Sequence, residues 1–126
     1  MENFKIDANT SSPFIDFDAG TGHLRIGGES YPENSYEFYA PVLTWLEQFL
    51  QETSGPITFE VTLSYLNTSS TKYMIDVLDK LEAAYERGIS VSVEWYYDPD
   101  NDRQREAIEE FQEDFSMPFT IRPEEE

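Results

Sequence analysis

No cysteine occurs in the chain, and histidine occurs once, at His23. The first absence excludes a disulfide framework, a thiol nucleophile and Cys-based zinc or iron–sulfur sites. The second forces any His-based triad or metal cluster through a single side chain, and His23 lies in a short alternating run where a solvated strand histidine is the ordinary reading. Basic residues are scarce as well: 8 Lys and Arg stand against 26 Asp and Glu, giving a formal net charge of −18 and a sequence pI near 4.1. Scattered cations cannot neutralise a phosphate backbone or an anionic bilayer, so neither nucleic acid nor a membrane is an expected partner. No apolar run reaches membrane-spanning length, and Met1-Glu2-Asn3-Phe4-Lys5 has no signal-peptide pattern; a cytoplasmic location is the expectation. Gly20-Thr21-Gly22 and Gly27-Gly28 lack the lysine of a P-loop and the spacing of a dinucleotide loop, so no nucleotide or other cofactor is expected.

What is present suits a globular protein. A chain of 126 residues that is 39% hydrophobic and 15% aromatic is too apolar for disorder and long enough for one core, so residues 1–126 are read as one domain. Phe14 to Asp18 and His23 to Ile26 alternate on either side of Ala19-Gly20-Thr21-Gly22 and predict a β-hairpin, with a further short strand near Phe4 to Ile6. After Gly27-Gly28, residues Glu29 to Asn34 form a polar turn whose Asn34 caps a helix carrying Phe38, Val42, Trp45, Leu46, Phe49 and Leu50; Pro41 should make its first turn irregular or restart it. Tyr31, Tyr36, Phe38, Tyr39 and Trp45 form an aromatic stretch, read as core packing because several recur at helical spacing.

The clearest period-2 pattern runs from Ile57 to Tyr65, and Met74, Val77, Leu78, Leu81 and Tyr85 mark a helical stripe between Thr71 and Arg87, stopped at Gly88. Ile89, Val91, Val93 and Trp95 give another strand, so strand, helix and strand form a parallel crossover. Ile108, Phe111 and Phe115 suggest a third helix, Phe119 to Arg122 a last edge strand, and Glu124 to Glu126 a frayed tail. The fold class expected is α/β: a mixed sheet packed with about three helices.

Thr68, Ser69, Ser70 and Thr71 stand consecutively where the alternating strand ends and the second helix starts. Unpaired N–H groups and the positive end of the helix dipole favour an anion at such a point. A phosphoryl group there would add roughly −1.5 to −2 charge and three acceptor oxygens, changing the surface offered to a partner while the fold persists. One helix needs one cap, and four hydroxyls exceed that requirement.

Two other features invite chemistry. Asp98, Asp100, Asp102 and Glu109 occupy positions 1, 3, 5 and 12 of a calcium loop, but Arg103 stands where that loop requires glycine. An acidic turn that caps a helix accounts for the same residues. Carboxylates are so abundant that pairs of them carry no signal for hydrolysis, and no enzyme activity is expected.

Four segments together carry a resemblance: Gly28-Glu29-Ser30-Tyr31-Pro32-Glu33-Asn34, Phe38-Tyr39 with Trp45-Leu46, Tyr65-Leu66-Asn67-Thr68-Ser69-Ser70, and Trp95-Tyr96-Tyr97-Asp98. In this combination the chain resembles the SiaC family of bacterial regulatory phosphoproteins. The resemblance implies a STAS-like fold and a non-enzymatic partner switch. It implies that Thr68 is the phosphoacceptor, modified by a Ser/Thr protein kinase of histidine-kinase-like fold and restored by a PP2C-like phosphatase. It further implies that the unmodified form binds and activates a diguanylate cyclase, linking the switch to cyclic-di-GMP and biofilm control. On this reading Asn67 and Ser69 shape the helix start and Ser70 helps to cap it, and neither metal nor cofactor is needed. The three neighbouring hydroxyls share one electrostatic setting, so Ser69 and Ser70 stay open as acceptors. Two competing readings are a constitutive protein-binding adaptor whose hydroxyls only cap the helix, and a calcium-responsive or carboxylate-using enzyme built around Asp98, Asp100 and Asp102.

Overall fold

Alternation of more and less buried residues along six strands builds one mixed sheet. The computed structural model describes residues 1–124, and its strands are β1 (Phe4–Ile6), β2 (Phe14–Asp18), β3 (His23–Ser30), β4 (Ile57–Leu66), β5 (Val91–Tyr97) and β6 (Phe119–Pro123), paired in sequence order. The first two pairings are antiparallel, and β3, β4, β5 and β6 run parallel to one another. Parallel neighbours need crossovers, supplied by helices α1 (Ser35–Glu52), α2 (Thr68–Glu86) and α3 (Asp102–Glu113). Three helices therefore start at one edge of the sheet, beyond the carboxyl ends of β3, β4 and β5.

Register explains why the helices lie on one face. Phe17, Leu24, Phe59 and Val93 face one another across the strands and are buried, as are Ile15, Ile26, Val61 and Trp95. Tyr39, Val42 and Leu46 of α1 and Met74, Leu78 and Leu81 of α2 complete this core. The intervening row, Asp16, Arg25, Glu60 and Glu94, points to the opposite, solvated face. There Arg25 bonds Glu60 at 3.0 Å, and His23 lies 3.5 Å from the same carboxylate.

The strands and helices depart from the sequence reading in four places. β3 does not end at Ile26 but continues through both glycines to Ser30. A Cβ on Gly27 would lie 2.2 Å from Thr62 Oγ1 and 2.5 Å from the Phe14 ring, and Gly28 adopts φ +101° beside a register shift, so glycine permits a bulged strand where a turn is expected. α1 runs unbroken through Pro41; its buried face on both sides of the proline outweighs the one missing N–H. Tyr31 and Tyr36 are not core residues, being 40% and 67% exposed, whereas Tyr39 is fully buried. Phe115 lies beyond the end of α3. At the carboxyl end, Glu124 N–H donates to the Tyr97 carbonyl at 2.7 Å, while residues 125–126 of the expected tail lie outside the described residues.

Candidate functional site

Each of the three helices opening on the carboxyl edge is capped by asparagine. Asn34, Asn67 and Asn101 accept hydrogen bonds from the N–H groups of Glu37, Ser70 and Gln104 at 3.1, 2.9 and 3.0 Å. A non-helical asparagine before the first helical residue satisfies one of the otherwise unpaired donors. Asn67 is anchored on its other side too, its own N–H donating to the Ser30 carbonyl at 3.0 Å, so the end of β3 fixes the start of α2. Replacing Asn67 by alanine should lower stability by about 1 kcal/mol, read as a shift of a few degrees in the thermal midpoint. A change under a few tenths of a kcal/mol would show that the cap is dispensable.

The four hydroxyls of the cluster have four different environments. Thr68 is exposed, and its hydroxyl makes no hydrogen bond among the described residues. Ser69 is exposed, but its Oγ lies 2.6 Å from Ser35 Oγ and 3.3 Å from Asn67 Oδ1. Ser70 is fully buried and accepts from Ser30 Oγ at 2.8 Å. Thr71 is half-buried, and its Oγ1 donates to the Asn67 carbonyl at 3.0 Å.

Ser70 stands apart from the rest of the cluster. It contributes its backbone N–H to the cap, and its hydroxyl faces inward and belongs to a buried network. Ser30 Oγ, with its one proton directed at Ser70, accepts from the Tyr39 phenol at 2.5 Å. Burial pushes the Tyr39 phenol above its ordinary value against the pull of the Ser30 and Ser70 hydrogen bonds, so it remains a neutral donor. No buried side-chain polar atom lacks a partner among the described residues. Ser30, Ser35 and Tyr39 were not singled out as site residues from sequence. Helical and strand periodicity carry no information on which side chains meet across 34 to 40 positions; Ser30 and Tyr39 lie in the segments that carry the resemblance, and Ser35 lies in none of them.

Around this corner the surface is aromatic. Tyr31 and Tyr65 meet edge to face with ring centroids 5.8 Å apart, and Tyr65 is 53% exposed. Tyr65, Leu66, Thr71, Ile75, Trp95 and Phe111 line a groove of about 580 Å³ between α2 and α3.

The remaining sequence candidates lie elsewhere. His23 starts β3 at the strand end opposite Ser30. The acidic turn is a helix cap rather than a metal loop: Asn101 caps α3, Asp98 accepts from the Asp100 N–H at 2.9 Å, and no group of three potential metal ligands occurs among the described residues. No described helix is long and apolar enough to cross a membrane.

With this geometry in view, three likenesses bear on the chain. A family model described as SiaC family regulatory phosphoprotein matches residues 6–124. An uncharacterized protein of Pseudomonas aeruginosa (strain UCBPP-PA14) is 45% identical over the whole of both chains. Among solved structures, SiaC of Pseudomonas aeruginosa superposes in two settings. In a complex of the diguanylate cyclase SiaD with its activator SiaC, the match has a TM-score of 0.93 at 45% identity, covering 96% of this chain and 99% of that one. For apo-SiaC the TM-score is 0.92 at 45% identity, covering 97% and 99%.

Proposed function

From the premise that the chain belongs to the SiaC family of regulatory phosphoproteins, and is thus a regulator and not itself a catalyst, we propose that it is a partner switch set by reversible phosphorylation of Thr68. The unmodified form binds and activates a diguanylate cyclase, as SiaC of Pseudomonas aeruginosa is the activator in its complex with SiaD. A Ser/Thr kinase of histidine-kinase-like fold adds the phosphate and a PP2C-like phosphatase removes it. The output is control of cyclic-di-GMP and, through it, of biofilm formation, in the cytoplasm.

The observation that carries this reading is the exposed, unengaged hydroxyl of Thr68 on the first residue of α2. Its three neighbours all have hydrogen-bonded hydroxyls. The Thr68 and Ser69 N–H groups have no acceptor among the described residues, so a phosphate on Thr68 meets the favourable end of the α2 dipole. The test is site-localised phosphopeptide mass spectrometry on the chain isolated from its own cells. Phosphate should be found at Thr68 and vanish in Thr68→Ala, with circular dichroism unchanged. Undiminished modification in Thr68→Ala would place the acceptor elsewhere and sink the proposal.

A further inference from the structure

We infer that Ser35, the first residue of α1, is a specificity-determining residue that keeps a transferred phosphoryl group off Ser69 and so confines modification to Thr68. The inference rests on the phosphoswitch reading above. Thr68 and Ser69 are adjacent, both exposed, and both at the start of the same helix, so local electrostatics cannot separate them. What separates them is a residue 34 positions away: Ser35 Oγ lies 2.6 Å from Ser69 Oγ.

Phosphoryl transfer makes that contact matter. In the step, a hydroxyl oxygen forms a bond to the γ-phosphorus of ATP while the bond to the bridging oxygen breaks, ADP departs, and the hydroxyl proton passes to a carboxylate base of the kinase. The attacking oxygen therefore has to swing free of the hydrogen-bond partners that hold it and give its proton to that base. Ser69 Oγ is held between Asn67 Oδ1, an amide oxygen and not a base, and Ser35 Oγ, whichever of the two serine hydroxyls donates to the other. The Asn67 contact is long at 3.3 Å and the Ser35 contact short at 2.6 Å, so Ser35 is the stronger restraint. Ser35 is itself only 8% exposed and sits on a capped helix, which holds its hydroxyl in place. Thr68 bears neither restraint.

The test compares site-localised phosphate occupancy in the full chain isolated from its own cells, as wild type, Ser35→Ala, Thr68→Ala, the double variant Ser35→Ala with Thr68→Ala, and Ser35→Thr with Thr68→Ala. Wild type and Ser35→Ala should both carry phosphate at Thr68, which also reports that Ser35→Ala is folded and recognised. Thr68→Ala should leave Ser69 nearly unmodified. Removing Ser35 from that background should raise Ser69 occupancy about fivefold, the factor expected from losing one ordinary hydrogen bond, and threonine at 35, which keeps the hydroxyl, should restore the low level. Equal Ser69 occupancy with and without the Ser35 hydroxyl would overturn the inference while leaving the phosphoswitch intact. Loss of Thr68 phosphate in Ser35→Ala would overturn it as well, because Ser35 would then be needed for modification rather than for exclusion. A wild-type chain without phosphate at Thr68 would defeat the phosphoswitch reading and this inference together.

Discussion

On the proposed switch, phosphorylation of Thr68 should weaken binding to a diguanylate cyclase partner at least about 100-fold, while changing the stability of the isolated chain by no more than about 1 kcal/mol. The two numbers differ because the phosphate meets different surroundings. In the free chain Thr68 is exposed and opens α2, so the added charge stays solvated and faces unpaired N–H groups. Against a partner surface the same group must be desolvated, which costs several kcal/mol when it is not matched by cations. The exposed tyrosines at this corner, Tyr31 and Tyr65, are the kind of apolar anchors that a partner covers tightly. Calorimetric titration of the cyclase with unmodified chain and with chain carrying phosphothreonine at 68 measures the first number, and urea unfolding of the same two preparations measures the second. Affinities within a factor of two would support the constitutive adaptor instead. A loss of several kcal/mol in stability would mean that the switch works by unfolding the corner rather than by altering a docking surface.

Truncation of Trp95 to alanine should cost about 3–5 kcal/mol, a large share of the roughly 5–15 kcal/mol by which a domain is stable. Trp95 is 2% exposed and stacks on Phe111 at 5.1 Å and on Phe119 at 6.1 Å between ring centroids. It is the side chain through which β5, α3 and β6 share one core, and it also floors the groove between α2 and α3. Removing it deletes the ring stacking that joins the three elements and enlarges an existing hollow. Chemical denaturation should show a markedly lower midpoint, with α3 and β6 losing hydrogen-exchange protection first. A loss under 1 kcal/mol would show that the α3 to β6 region is held by other means.

Much of the sheet edge carrying the candidate site was legible in the chain because its determinants are local. An asparagine before a helical stripe, strict alternation from Ile57 to Tyr65, and a glycine after Arg87 each act through neighbouring residues, and secondary structure follows from that range of interaction. Pro41 and Gly27 misled for the complementary reason. Their local preferences point to a broken helix and a turn, and tertiary packing overrode both: the buried face of α1 holds the helix through the proline, and the close approach of Phe14 and Thr62 uses the missing side chain of glycine. Tyr31 and Tyr36 misled because helical spacing near a helix start does not tell which turn of the helix reaches the core.

By itself the sequence determined the family, the strand and helix order, the absence of thiol chemistry, and the placing of four hydroxyls at the start of one helix, because composition and short-range pattern suffice for these. Only the tertiary structure decided among the four. It buried Ser70 against Ser30 and Tyr39, tied Thr71 to the Asn67 carbonyl, joined Ser69 to Ser35, and left Thr68 alone in solvent. The distinctions within the cluster are made by groups that other elements bring within hydrogen-bond distance, and that proximity is a property of the folded chain, set by how β3, α1 and α2 meet at one edge of the sheet.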